Sequence, residues 1–443
     1  MNKTLYPCRE ESRNWEATRN IYIEGDNLDA LELLREEYAG KIQLIYIDPP
    51  YNTGKPFVYR DNFRDQWSAM MYPRLALARE LMADNGIMYI SIDHHELFNL
   101  KGICDEIFGG HNYISVLAVE NNPKGRKNSA FFAESFEFCL VYARDKTCIY
   151  GQLSARGVKK FFTGIAANGA DSRKVLHDEY GAFRQSKRQI CGRNKSSAPA
   201  HTAPAARCFT VYYAKTDDGE FMELLDEYDS AADAWIIGDM GRALLSRGYT
   251  RYVCTNSVTG RPSIPLYAEA TIRKLFDEHS LYFKADGSIY AKDREVRQQL
   301  TSFLPNKRFG LDLMTESATS HMEELFGVKR IFVNSKSVGF IKALIQQYPG
   351  NDITVLDFFS GSAATAHAVM RLNAEDSGSR RFIMVQLPEP CAPESQAARA
   401  GYANICEIGT ERIRRAGDNI VREAGLNRQG CDIGFRVYKV GEG

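Results

Sequence analysis

Short apolar runs, each followed by a helix-patterned segment, recur at both ends of this 443-residue chain and cease in between. That alternation restricts the fold to a largely parallel sheet covered by helices. A strand buried on both faces reads as a nearly continuous apolar run, and parallel neighbours need a helical crossover. Asn20 to Glu24 reads as a strand, Asp26 as the cap of a helix through Leu28, Leu31 and Leu34, and Ile42 to Ile47 as the next strand. The spacing of Trp67, Met70, Met71, Leu75, Leu77 and Leu81 predicts a helix, Gly86 opens a strand over 87–92, and a further helix covers 96–107. Segments 114–119 and 136–142 predict an antiparallel hairpin at the sheet edge. The alternation returns with strands over 330–333, 353–358 and 381–386 and helices over 338–346 and 403–424. The ends therefore read as two halves of one sheet, residues 1–145 and 330–443, split by an inserted domain over 146–329. Within the insertion the clearest element is a hairpin from Leu281 to Tyr290 with an Asp286-Gly287 turn.

Composition adds limits. With 44% hydrophobic and 25% charged residues the chain is of ordinary globular type. Its longest apolar runs are too short to cross a bilayer, and Met1 to Ser12 lack the apolar centre of a secretion signal, so no membrane partner and a cytoplasmic address are expected. The ten cysteines are scattered without a CxxC pair and read as reduced packing thiols. Formal net charge is zero, yet residues 151–215 hold twelve Lys or Arg against three Asp or Glu. A basic segment in a neutral chain suggests one face for a polyanion, the alternative being a solvated insertion without a partner. The cluster Lys124, Arg126 and Lys127 follows a predicted edge strand and is either a nucleic-acid backbone contact or an ordinary loop.

The strand at Ile42 to Ile47 ends in Asp48-Pro49-Pro50-Tyr51. An amine conjugated to an aromatic ring, as in adenine or cytosine, is a poor nucleophile because its lone pair is delocalised. Two acceptors that take its hydrogens draw the nitrogen towards tetrahedral geometry. Asp48 offers a carboxylate, Pro49 a backbone carbonyl on a chain of fixed φ, Pro50 a second ring without a competing N–H, and Tyr51 a flat face for an extruded base. The bland alternative is a Pro-Pro turn closing a buried strand.

A second corner lies at Val355-Leu356-Asp357-Phe358-Phe359-Ser360-Gly361-Ser362, a strand, tight turn and helix start. Gly361 flanked by serines lets a ligand approach the backbone, and Phe358 or Phe359 offers an aromatic face to a sulfonium or an adenine ring. Gln386 or Glu389, at the end of the following strand, is placed to meet ribose hydroxyls or simply to cap the strand. Asp26 caps a helix and could also accept from the amine of a cofactor adenine. No GxxxxGK[ST] phosphate loop occurs. Asp93-His94-His95-Glu96 follows a strand and opens a helix, so capping and solvated imidazoles explain it and no metal is expected.

At this point the chain resembles DNA amino-methyltransferases of the permuted type in which the catalytic corner precedes the cofactor loop, and most of all the modification subunits of type III restriction-modification systems. The resemblance rests on Gly25-Asp26-Asn27-Leu28, Ile45 to Lys55, Val355 to Ser362, Arg380 to Glu389, Glu411 to Ala416 and Ile433 to Val437, spanning nearly the whole chain. It implies an α/β, Rossmann-like S-adenosylmethionine-dependent sheet, circularly permuted, with an inserted target-recognition domain. It implies that Asp357, Phe358, Phe359, Gly361, Ser362 and Gln386 hold S-adenosylmethionine, with Asp26 near its adenine and Asn334, Lys336 and Ser337 closing over its methionine end. The implied activity is N6-adenine methylation of double-stranded DNA, with N4-cytosine methylation as the alternative; Asp48 favours adenine, since Ser is more typical of the cytosine enzymes. A third alternative is a DNA-binding specificity subunit of weak catalysis. A homodimer and a nuclease-helicase restriction subunit are partners the resemblance admits, and the chain could equally act alone. Relatives commonly read Gly-Ser-Gly-Thr-Thr where this chain has Gly361-Ser362-Ala363-Ala364-Thr365, and Ala363 would be strained if its φ is positive.

Overall fold

The computed structural model describes residues 3–54, 61–125, 132–149, 162, 165–166, 173–195, 197–294, 297–298, 300–307, 311–424 and 431–443. The chain divides into two units, Met1–Ala170 with Arg297–Gly443, and Asp171–Val296.

The first unit is built on a ten-stranded sheet. In chain order its elements are β1 (Lys3–Arg13), β2 (Ile21–Glu24), α1 (Asn27–Tyr38), β3 (Ile42–Ile47), α2 (Trp67–Leu81), β4 (Met82–Ile92), α3 (Leu97–Cys104), β5 (Tyr113–Val119) and β6 (Glu137–Ala143). After the second unit come β7 (Phe303–Leu304), α4 (Thr315–Phe326), α5 (Val338–Gln347), β8 (Thr354–Asp357), α6 (Ala364–Asp376), β9 (Arg381–Gln386), α7 (Ile405–Ala424) and β10 (Phe435–Glu442). The sheet order is β1-β10-β2-β9-β8-β3-β4-β6-β5-β7. Every pair from β10 to β4 is parallel, β6 runs antiparallel to β4 and β5, and β1 antiparallel to β10. The two halves of the chain meet where Val355 of β8 lies opposite Leu44 of β3.

Successive strand residues point to opposite faces, and the core sorts accordingly. Leu44, Tyr46, Val355, Phe382 and Met384 pack with α5, α6 and α7, whereas Ile45, Ile47, Leu356, Ile383 and Val385 pack with α1, α2 and α3. The result is a three-layer α/β unit of Rossmann type, with helices on both faces of the sheet.

The structure departs from the sequence reading in several places. Residues 330–333 form turns rather than a strand: Arg330 and Asn334 both have positive φ (54° and 65°), and Ile331 and Phe332 pack beside Ile405 and Ile408 instead. β4 begins at Met82, ahead of Gly86, with a register irregularity opposite Ile42 to Leu44. Residues 297–329, assigned to the insertion from sequence, supply β7 and α4 to the sheet unit. The chain leaves this unit and returns through neighbouring positions, where Ile165–Ala166 pairs antiparallel with Arg297–Gln298.

The second unit, Asp171–Val296, holds a four-stranded antiparallel sheet in the order 281–283, 289–293, 181–191, 175–178 and a three-stranded sheet in the order 219–225, 210–216, 250–252. Its core gathers Ile190, Phe209, Val211, Tyr252, Ile272, Leu281 and Ile289. The hairpin expected at 281–290 is present, with Phe283 paired to Ile289 across a five-residue loop that carries Gly287 at φ +82°. Among the described residues no helix is long and apolar enough to cross a membrane.

Candidate active site

β3 and β8 are adjacent and parallel, so Asp48, which follows β3, and Asp357, the last residue of β8, lie at one edge of the sheet. β6 runs the other way and brings its first residue, Glu137, to that same edge. Two cavities open there, of about 350 and 360 Å³, and they share Asp48, Asn334, Ser335 and Lys336 as a common wall.

The corner after β3 is held from below and from the side. Trp67, 1% exposed, donates its indole Nε1–H to the Pro50 carbonyl at 2.7 Å. Asp61 is buried and accepts from the backbone N–H of Asn52 and Thr53, each at 2.9 Å. Asn52 itself sits at φ +61°, and its side chain accepts from the N–H groups of Phe63 and Arg64. Asn and Asp tolerate that left-handed region because their side chains bond locally. The loop is therefore fixed by polar groups rather than by packing alone.

Lys336 occupies the centre. Its Nζ donates to the Tyr51 hydroxyl at 2.7 Å and to Glu137 Oε1 at 2.8 Å, and stands 3.3 Å from Asp48 Oδ1 and 5.0 Å from the centre of the Tyr51 ring. Tyr51 donates to Glu137 Oε2 at 3.1 Å. Burial pushes the Asp48 carboxyl up to about 6; the Lys336 ammonium opposes this and the Glu137 carboxylate adds to it. Burial alone would lower Lys336, but Asp48 and Glu137 outweigh it and hold its pKa above the ordinary value. Asp48 Oδ1 is buried and faces Lys336 as an ion pair, with no hydrogen bond of good geometry among the described residues.

The first cavity lies over the turn after β8. It is lined by Asp26, Asp48, Arg74, Phe332, Asp357, Phe359, Gly361, Ser362, Gln386 and Glu389, among others. Asp357 accepts from Thr365 Oγ1 at 2.5 Å and from the Phe359 N–H at 3.1 Å; burial nevertheless pushes its carboxyl up to about 7. Gly361 has φ +49°, and its N–H is taken by Gln386 Oε1 at 2.7 Å. Gln386 thus braces the loop from the neighbouring strand. Ala363 lies at φ +59°, ψ +40°, fully buried at the start of α6, the strained alternative of the two weighed from sequence. Behind the loop, Arg412 donates from Nη1 to Ser362 Oγ at 2.7 Å and to Ser335 Oγ at 2.9 Å.

The remaining sequence candidates fall as follows. Asp26 caps α1, accepting from the Leu28 N–H at 2.8 Å, and its carboxylate also pairs with Arg74 at 3.1 Å. Phe358 and Phe359 both line the first cavity; Phe358 is fully buried and its carbonyl accepts from Asn27, while Phe359 is half-buried. Asn334 lines both cavities. Ser337 lines neither: it caps α5 and donates to the Asp312 carbonyl at 2.6 Å. Pro49 is buried and lines neither cavity, whereas Pro50 lines the first and Tyr51 the second. Lys124 is exposed on the turn closed by the bond from the Gly125 N–H to the Asn122 carbonyl, next to Asn121 and Asn122 of the second cavity. Arg126 and Lys127 lie outside the described residues. Asp93 takes the His95 N–H and its ring Nδ1, both at 2.9 Å.

Glu137, Arg74 and Arg412 were not singled out from sequence. For Glu137 a signal existed: a carboxylate opening an otherwise apolar strand that is antiparallel to its neighbour must arrive at the edge where the parallel strands end. Arg74 lies within a helix pattern and Arg412 within an arginine-rich one, where a charged residue reads as solvent-facing.

A family model described as DNA methylase matches residues 42–414. The chain is 29% identical over 98% of its length to the type III restriction-modification enzyme EcoP15I Mod subunit of Escherichia coli, and 29% over 97% to the EcoPI Mod subunit of Escherichia phage P1. It spans 66% of the length of each of those two relatives. It is 27% identical over 90% of its length, and 88% of the relative's, to the type II methyltransferase M.KpnI of Klebsiella pneumoniae. A match that runs from β3 into α7 takes in both corners of the candidate site, and the chain belongs to the DNA methylase family of N6- and N4-methyltransferases.

Proposed function

We propose that the chain is a site-specific DNA methyltransferase that moves a methyl group from S-adenosylmethionine to the N6 amine of an adenine flipped out of duplex DNA. The observation that carries this reading is the shared wall: Asp48 faces the cavity over the glycine turn and the cavity beside Tyr51 at once. A donor in one and a base in the other would meet at a single carboxylate.

S-adenosylmethionine suits the first cavity by its chemistry. Carboxylates at Asp26, Asp357 and Glu389 match the hydrogen-bond donors of its amines and ribose, Phe359 and Phe332 give it aromatic faces, and Gly361 leaves its approach open. Bound there it supplies an electrophilic methyl on a sulfonium. Asp48 accepts a hydrogen of the target amine; Pro49, the second acceptor expected from sequence, lines neither cavity. Tyr51 gives the base a stacking face, worth ~1–3 kcal/mol, against a flipping cost of a few kcal/mol. Lys336 and Glu137 hold the Tyr51 hydroxyl, and the Lys336 ammonium favours the ionised Asp48 against burial and the Glu137 carboxylate. After transfer Asp48, with a pKa of about 6, takes the proton the amine sheds. Alignment of the reactants is the main source of rate, up to ~7–11 kcal/mol.

Residues 146–329 are proposed to include the target-recognition region, with the basic stretch 151–215 and Lys124 contacting DNA phosphates. The names of the type III relatives, each a Mod subunit of a restriction-modification enzyme, support a restriction-modification setting; a cytoplasmic address and a nuclease-helicase subunit or a second copy of the chain as partner are part of the proposal. Asp48→Ala tests the reading. Methyl transfer to duplex DNA should vanish while DNA binding, followed by fluorescence anisotropy, is largely kept; full activity in this variant sinks the assignment.

A further inference from the structure

We propose that a third cavity of the sheet unit, about 300 Å³ and lined by His321, His367, Arg371 and Arg412, binds a free oxyanion of the phosphate type. The starting point is Arg412, 1% exposed on α7. Its hydrogen bonds run to neutral oxygens of Ser335 and Ser362, its Nε is buried without a partner, and no carboxylate stands within ion-pair distance among the described residues. The other cations of the cavity differ: Arg371 is paired with Glu423, Lys342 with Glu375 at 2.7 Å, and Lys336, shared with the active-site cavities, with Glu137 at 2.8 Å.

A buried guanidinium without a counter-charge is costly, and its burial here pulls the Arg412 pKa down to about 9. The groups around it can complete an anion site. His321 Nε2 and His367 Nδ1 are both buried and without a hydrogen-bond partner among the described residues, the two rings are 5.3 Å apart, and His367 is 3% exposed. The first residues of α5, Val338 and Gly339, form another part of the wall and bring a helix N-terminus to the cavity. Asp312 also lines it, but Asp312 is exposed and its Oδ1 accepts from the Met314 N–H at 3.1 Å. Imidazole N–H groups, a guanidinium and a helix N-terminus converging on one space match the several acceptors of a tetrahedral oxyanion. Donors buried this deeply lie beyond a polymer phosphate flanked by its sugars, which assigns the site to a free anion.

The test is titration of the full chain with inorganic phosphate at constant ionic strength, by calorimetry and by the imidazole signals in NMR. A saturable one-site heat, shifts of both imidazole pairs, and an affinity loss of about tenfold or more in a folded His321→Phe variant are expected. Absent or non-saturating heats, unmoved imidazoles in the unsubstituted chain, or an unchanged affinity in His321→Phe overturn the proposal. So does displacement of the phosphate from this site by a short DNA duplex. None of these readouts requires methyl transfer, so their failure and that of the proposed activity are separate results.

Discussion

Replacing Lys336 by Met removes the ammonium facing Asp48 and keeps an apolar stem of similar length. Two unit charges 3.3 Å apart attract by ~5 kcal/mol at an effective dielectric of 20. Much of that is lost here, because Lys336 is shared with Glu137 and the Asp48 side chain is 26% exposed. What survives is the effect an opposite charge usually has on an aspartate, about one to three pH units, or ~1.4–4 kcal/mol. Asp48 titrates at about 6 with the lysine in place. Without it the carboxyl stays protonated to about pH 7 or higher. A protonated Asp48 carries no charge to stabilise the positive nitrogen formed on methylation. In a pH series of kcat/KM for labelled-methyl transfer to a duplex, the acid limb should therefore move from about pH 6 to about pH 7 or above in Lys336→Met, and the activities should approach each other at alkaline pH. Glu137→Gln should move the limb the other way, since the Glu137 carboxylate raises Asp48. An unmoved limb in Lys336→Met, or an upward one in Glu137→Gln, refutes the reasoning.

Asp357 has a folded-state pKa raised to about 7, so between its unfolded value and about pH 7 the native state holds a proton that the unfolded chain has lost, and stability falls as pH rises through that window. Asp357→Asn should flatten this slope, read as urea midpoints on either side of it; an unchanged slope counts against the assignment. Ala363→Gly relieves a left-handed strain of about 1–2 kcal/mol but loses a comparable amount to unfolded-chain entropy and the missing buried methyl, so its urea midpoint should barely change. Ala363→Val, with a β-branch at the same φ on a fully buried site, should cost more than about 2 kcal/mol, and normal stability in that variant would contradict the backbone geometry. Arg74→Ala frees the Asp26 carboxylate and opens the first cavity, so calorimetry should find weaker S-adenosylmethionine binding while duplex DNA affinity stays the same.

Much of the sheet could be read directly because its strands are buried on both faces and their apolar runs are unambiguous, as at Ile42 to Ile47 and Val355 to Phe358. Edge elements were harder. β1 is mostly polar and contains Pro7, which an edge strand tolerates but a strand pattern does not advertise. Ile331 and Phe332 misled in the opposite sense: their apolarity serves packing beside α7, and the positive φ at Arg330 and Asn334 that forbids a strand is invisible in the residue types. Asp48, Tyr51, Asp357 and Gly361 were legible because each ends or follows a recognisable strand. The Glu137–Lys336 contact was not, since it joins residues 199 positions apart and exists only once β6 has been placed beside β4.

The short pairing of Ile165–Ala166 with Arg297–Gln298 bears on how such a chain can change over generations. Exit and return lie side by side, so the intervening stretch behaves topologically as a cassette spliced into one loop of the sheet. Two crossovers at neighbouring points in space could replace it whole, while the strands on which Asp48 and Asp357 depend kept their register. A fold wired in this manner separates the inheritance of the sheet unit from the inheritance of the unit inserted in it.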